Sequence, residues 1–312
     1  EFMQAFWDIE EVQAKAIQRL ASFVRDESAL PYLLTFTELT IFAMKTHVDS
    51  LKLQVDGYSL LLEILNEALE QDVVMPMDEN VTRSLLDTVR KYSENEELIS
   101  LVCTLLMMIS ASEVAAENLW KAGVIPDLLS ILRNFLHNEK ICFSCCGVLW
   151  SLAVSENVDQ ASLKSAVPVT CAVLQEHLQN GTVAESACSA LWALSLQGCL
   201  TENEYETTTA LLLDALRMNL ERPVLVKNAC LALASLLRLS EISALRFIMD
   251  SKGSGINLIK DAYHLHFDDP EVVGNICLLI NEMVQYEDVV LDMLSQRMDK
   301  LLSEIKTCSP SS

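Results

Sequence analysis

The sequence predicts an all-α chain built as a solenoid of helical repeats, and three observations carry that prediction. One core position recurs at near-constant spacing: Gly57, Cys103, Cys146, Cys188, Cys230 and Cys277 stand 46, 43, 42, 42 and 47 residues apart. An aliphatic residue follows each by three (Leu60, Leu106, Leu149, Leu191, Leu233, Ile280), and one usually precedes it by five (Leu98, Ile141, Val183, Leu225, Val272). The 312 residues are 51% apolar with eight Gly and seven Pro, which suits long packed helices rather than turn-rich sheets. A unit of about 40 to 47 residues cannot bury its apolar face alone and stacks on its neighbours. Such arrays present long grooves, which favours binding over chemistry.

In chain order, Gln4 to Arg25 carries Phe6, Ile9, Val12, Ala16, Leu20 and Phe23 near helical spacing. Asp26 to Ser28 closes that helix, and a second runs from Pro31 to Thr46 with Pro at its first position. Residues 1–47 read as an N-terminal helical cap, and 48–306 as one continuous array of five to six repeats. Gly57 costs about 1 kcal/mol of helix propensity relative to Ala, so it marks tight packing. In Lys121-Ala122-Gly123-Val124-Ile125-Pro126-Asp127-Leu128-Leu129, Gly123 ends one helix and Pro126 opens an amphipathic one.

That stretch resembles the armadillo repeat family, whose second helix opens Gly-x-Ile-Pro-x-Leu-Val. Val183-Ala184-Glu185-Ser186-Ala187-Cys188-Ser189-Ala190-Leu191 is similar to the family's third helix. Weaker copies follow: Ser165-Ala166-Val167-Pro168 keeps only the Pro, and Gly253-Ser254-Gly255-Ile256 keeps Gly and Ile. Asp269-Pro270-Glu271-Val272 is a capped helix start. The last helix is expected from Leu291 to Ile305, and 307–312 as a disordered polar tail. The resemblance covers roughly 48–305 and implies a right-handed superhelical solenoid; it is specific for fold and weak for function.

With 22 basic and 44 acidic residues, a formal charge of −22 and a pI near 4.5, the chain is unsuited to nucleic acid. A basic peptide or protein surface is easier to attract. Carboxylates at helix starts, as in Glu94-Asn95-Glu96-Glu97 and Asp268-Asp269-Pro270-Glu271, explain part of the acidity more simply. No apolar run is long enough to span a bilayer, so no membrane insertion is expected. Glu1-Phe2 ahead of Met3 reads as a cloning remnant. Five of the ten cysteines hold the recurring core position and read as buried reduced thiols, which favours a cytoplasmic or nuclear setting.

The resemblance implies a groove lined by third helices, with an Asn column for peptide backbone and a Trp column for its side chains. The Asn column here is Met108, Ser151, Ala193, Ser235 and Glu282; the Trp column is Thr104, Gly147, Ser189, Leu231 and Leu278. Neither reproduces the family's peptide-carrier pattern. Moving Trp150 and Trp192 onto the Trp column puts Val154 and Leu196 on the Asn column and breaks the aliphatic register. Trp150 and Trp192 still hold equivalent places 42 residues apart. They read either as partner anchors, with Ser151, Ala193 and Ser235 as groove floor, or as packing between helices.

Cys142 and Cys145 form a Cys-x-x-Cys without a second ligand pair, so core thiols are expected rather than a metal. His264 and His266 do not share a helix face and are expected to meet terminal carbonyls. Glu202, Glu204 and Glu206 read as solvated charges in a polar connection. There is no phosphate loop, nucleophile elbow or His-Glu-x-x-His run, so no catalytic residue, cofactor or metal is expected. The expected function is a non-catalytic interaction scaffold or adaptor for a protein or peptide. The resemblance adds two alternatives: a regulatory region of a larger kinase-like enzyme, and an importin-like carrier of basic peptides, which the missing Asn column disfavours.

Overall fold

A computed structural model of the chain describes residues 2–308 apart from 74, 76, 77 and 157. Every regular element among them is helical, as expected. The chain divides into two compact units, Glu1–Asn157 and Val158–Ser312. The first holds α1 (Phe2–Ala5), α2 (Glu10–Ala21), a 3-10 turn (Glu27–Tyr32), α3 (Leu33–Thr46), α4 (Leu51–Glu70), α5 (Glu79–Lys91), α6 (Glu96–Ser110), α7 (Glu113–Lys121), α8 (Val124–Asn134) and α9 (Glu139–Val154). The second holds α10 (Gln160–Leu163), α11 (Ala166–Glu176), α12 (Gly181–Leu196), α13 (Glu202–Met218), α14 (Pro223–Leu239), α15 (Glu241–Ile248), α16 (Gly255–Leu265), α17 (Pro270–Met283), α18 (Glu287–Ser295) and α19 (Met298–Cys308).

The recurring core position lies on the long helices. In the first unit α4 packs on α6 and α6 on α9; in the second α12 packs on α14 and α14 on α17. All the aliphatic residues three after and five before that position are buried. Cys103, Cys146, Cys188 and Cys230 are fully enclosed, whereas Cys277 is only half-buried, a correction to the expected row of five buried thiols. Its helix, α17, has one long-helix neighbour, α14. At Gly57 a Cβ would collide with the Met44 side chain of α3, so the glycine serves close packing.

One three-residue turn repeats before each long helix. The amide of Ser50, Asn95, Asn138, Asn180, Arg222 and Asp269 donates to the carbonyl three back, on His47, Tyr92, Phe135, His177, Asn219 and Asp269's own predecessor His266, at 2.9 to 3.0 Å. Side-chain caps then hold the new helix: Ser50 accepts from Leu53 N, Asn95 from Leu98 N, Asn138 from Ile141 N, Asn180 from Val183 N and Asp269 from Val272 N. Arg222 is no cap, and Pro223 at the first position of α14 serves instead. Glu96 and Glu97 stand in the first turn of α6, consistent with carboxylates serving helix starts.

A second device links consecutive turns. His47 Nε2 donates to Trp7 O (3.0 Å), Tyr92 Oη to Val48 O (2.7 Å), Asn219 Nδ2 to Leu178 O (2.7 Å) and His266 Nε2 to Leu220 O (2.7 Å). These bonds satisfy carbonyls that the turn takes out of helical pairing. His266 therefore binds a carbonyl of the neighbouring turn rather than one ending its own helix, while His264 lies edge-on to Tyr263. The geometry reaches into the first 47 residues: Ile9 N donates to Phe6 O, and Gln13 bonds Met3 O and Phe6 O as Gln54 bonds Met44 O and His47 O.

Several boundaries differ from expectation. The segment Gln4 to Arg25 is broken by the Phe6–Ile9 turn into α1 and α2. The last stretch forms α18 and α19, separated at Arg297, whose φ of 62° interrupts the helix. Glu202, Glu204 and Glu206 belong to α13 rather than a connection: Glu204 completes a capping box with Thr201, and Glu206 pairs with Arg246 at 3.1 Å. Gly123, with φ 70°, supplies the left-handed residue between α7 and α8. Of the tail 307–312, residues 309–312 lie outside the described residues.

Candidate functional site

The last turn of α9 and the α6–α7 junction enclose a cleft of about 420 Å³. Its apolar lining is Ala111, Ala116, Trp150 and Val154, with Ser151 beside them and Glu113 and Glu156 also lining it. Trp150 and Val154 share a face because they are four apart on α9, and they are 38% and 48% exposed. Ser112 ends the junction and Glu113 opens α7, so this carboxylate sits where a helix start favours it.

Trp120 braces the end of α9 beside the cleft. From α7 its Nε1 donates to Leu152 O (3.2 Å) and Ser155 Oγ (3.0 Å), and Ser155 Oγ donates to Leu152 O (2.8 Å). The final carbonyls of α9 lack intrahelical partners, and this side chain satisfies one of them. Trp150 differs: among the described residues its indole N–H meets no acceptor, and its ring is open to the cleft. A tryptophan used purely for packing ordinarily finds a partner for its N–H, as Trp120 does.

The mouth is electronegative. Glu113 and Glu156 form no ion pair among the described residues, and the carbonyl end of α9 adds partial negative charge. Among the described residues no basic side chain lines the cleft. The arrangement offers an apolar slot, an N–H donor, a hydroxyl and two carboxylates.

Of the five residues singled out from sequence, Trp150 and Ser151 line this cleft together. Trp192 is half-buried on α12 with exposed Leu196 four residues on, repeating the Trp150–Val154 register in the second unit. Ala193 and Ser235 are enclosed, at 1% and 5% exposure, where α12 and α14 pack together, so they have little surface to offer a partner. Among the described residues Ser235 Oγ has no hydrogen-bond partner. The contributions of Glu113, Val154 and Glu156 went unread in sequence; the four-residue step from Trp150 to Val154 was the available signal.

The remaining sequence candidates resolve as packing. Cys142 Sγ donates to Leu136 O (3.2 Å), and Cys145 Sγ to Cys103 Sγ (3.6 Å). The Cys103 contact and burial push the Cys145 thiol well up. Burial likewise raises Cys188, and it carries Cys230 to about 12, so these sulfurs stay protonated and unreactive. Among the described residues no group of three or more His, Cys, Asp or Glu is placed to hold a metal, and no helix is long and apolar enough to cross a membrane. No family model matches the chain.

Proposed function

We propose that the chain is a non-catalytic protein-interaction module, each unit a stretch of armadillo-type right-handed solenoid. The α9 cleft engages a segment of a protein partner. Trp150 and Val154 take an apolar side chain, and Glu113 and Glu156 meet an adjoining basic one. Trp192 and Leu196 supply a second anchor on α12.

The contrast between two tryptophans carries this reading: Trp120 bonds two acceptors inside the first unit, whereas Trp150 faces a cleft and its N–H meets no acceptor among the described residues. Large aromatics in such positions are frequent interface hot spots, because they bury much area at little entropic cost. Unpaired carboxylates beside an apolar slot favour a basic segment and speed its encounter.

The test is affinity capture with wild type, Trp150→Ala and Trp192→Ala, with circular dichroism on each. Proteins retained by wild type and lost from Trp150→Ala, at unchanged helicity and with weaker retention at raised salt, support the reading. Identical capture by wild type and both variants contradicts it.

A further inference from the structure

A hydroxyl residue followed by Glu-Asn occurs three times in the chain, as Ser93-Glu94-Asn95-Glu96, Ser155-Glu156-Asn157 and Thr201-Glu202-Asn203-Glu204. A hydroxyl ahead of carboxylates is the charge pattern that a protein kinase with a basic substrate groove selects. The three are close to equal as sequence, and the structure ranks them.

Thr201 is engaged. Its Oγ1 and its amide both donate to Glu204 Oε2, at 2.9 and 2.7 Å, and α13 begins at the next residue. Drawing Thr201 to Glu204 out into an extended substrate would undo that capping box and the first turn of α13. Ser155 is engaged as well, since its Oγ accepts from Trp120 Nε1 (3.0 Å) and donates to Leu152 O (2.8 Å). Ser93 differs from both. Its hydroxyl meets no partner among the described residues, it is half-buried, and it stands in the turn between α5 and α6, three residues ahead of the first helical one.

The repeated turn sets Ser93 apart a second time. The residue after the turn's accepting carbonyl is Trp7, Val48, Leu136, Leu178, Leu220 and Phe267 in the other copies, all apolar. The carbonyls of Trp7, Val48, Leu178 and Leu220 are clasped by His47, Tyr92, Asn219 and His266. The clasping place that follows Ser93 is Phe135, whose ring carries no donor, and among the described residues Ser93 O receives no side-chain bond. Arg90 and Lys91, just before Ser93, are already paired with Asp127 and Asp49, while Glu94 and Glu97 after it are exposed.

We infer that Ser93 is a phosphorylation site, the acceptor for an ATP-dependent serine kinase that reads carboxylates following its target. Ser93 Oγ attacks the γ-phosphorus of ATP and forms the Oγ–P bond. The bond from that phosphorus to the oxygen bridging it to the β-phosphate breaks, ADP leaves, and the hydroxyl proton passes to the kinase's base. The product carries about two negative charges at neutral pH. They lie just ahead of α6, whose N-terminus favours an anion, so the helix stays intact. This site is separate from the α9 cleft.

The test incubates the full chain with ATP and purified casein kinase II, an enzyme of that selectivity, and maps phosphate by mass spectrometry. Synthetic peptides of residues 88–99 and 196–207 show how the kinase reads the Ser93 and Thr201 segments free of the fold. We expect both peptides to be labelled, and the folded chain to be labelled at Ser93 roughly tenfold or more faster than at Thr201 or Ser155. Ser93→Ala should abolish the fast labelling, and Glu94→Lys with Glu97→Lys should slow it, at unchanged helicity by circular dichroism. The inference is overturned if the Ser93 peptide is not labelled, if the folded chain takes no phosphate at Ser93, or if Thr201 or Ser155 is labelled as fast. Where a variant loses helicity, the site map of the wild type decides alone.

Discussion

The two units use the same turn and the same carbonyl clasp, yet they finish their shorter helices differently. In the second unit charges close the surface: Arg217 reaches Asp214 (3.1 Å) and Asp250 (2.7 Å), Arg246 reaches Asp250 (3.3 Å) and Glu206 (3.1 Å), and Lys252 reaches Asp214 (2.6 Å). The Asp250 side chain is 3% exposed between its two arginines. In the first unit the register of Asp214, five residues before the repeated turn, is held by Phe42, beside an apolar cleft, and a second cleft opens at Trp150. Identical backbone devices thus support a carboxylate buried between two arginines in one unit and an apolar cleft beside α3 in the other, while Arg90 of the first unit pairs with Asp127 at the register of Arg217. The difference lies in side chains at a few register positions, which is where the interaction reading rests.

Removing Asp250 should break this contrast most severely. Asp250→Ala leaves Arg217 and Arg246 without their buried carboxylate, and we expect a loss of about 3–5 kcal/mol in urea denaturation. On the first unit the corresponding structural test is Trp120→Ala, which removes packing and two bonds at the end of α9; we expect a loss of about 3 kcal/mol.

The buried thiols sharpen the comparison through pH. Cys230 holds its proton up to about 12 in the folded protein, while the unfolded chain releases it near the ordinary thiol value. Its contribution is intact below that ordinary value and declines as pH rises towards 12, by about 1.4 kcal/mol per pH unit. Urea titrations across this window should show a flatter pH slope for Cys230→Ala than for wild type. Smaller again is the cap of α9: Asn138→Ala removes the bond to Ile141 N and should cost about 1 kcal/mol in the same assay.

Much of the fold was legible in sequence because packing imposes it at fixed spacing. The cysteine column and its aliphatic partners mark the long helices, and Asp269-Pro270 and Gly123 mark helix limits through local backbone chemistry. The break between α1 and α2 was not legible, since Phe6 and Ile9 fit helical spacing while actually forming the turn. Nor were the carbonyl clasps of His47, Asn219 and His266, whose partners stand 40 to 46 residues away. For the site, Trp150 and Ser151 stood out by repetition, but their exposure depends on the α6–α7 junction, which no pattern in α9 encodes. Ala193 and Ser235 occupy the same column as Ser151 and are closed over by neighbouring helices, so register alone does not predict access.

The most direct measurement follows Trp150→Ala for stability and partner retention in the same preparation. We predict an unfolding free energy in urea within about 1 kcal/mol of wild type, because a half-exposed ring with no hydrogen bond among the described residues contributes little to folding, together with loss of the captured partner. A destabilisation as large as that of Trp120→Ala, or undiminished capture by a folded variant, would contradict it.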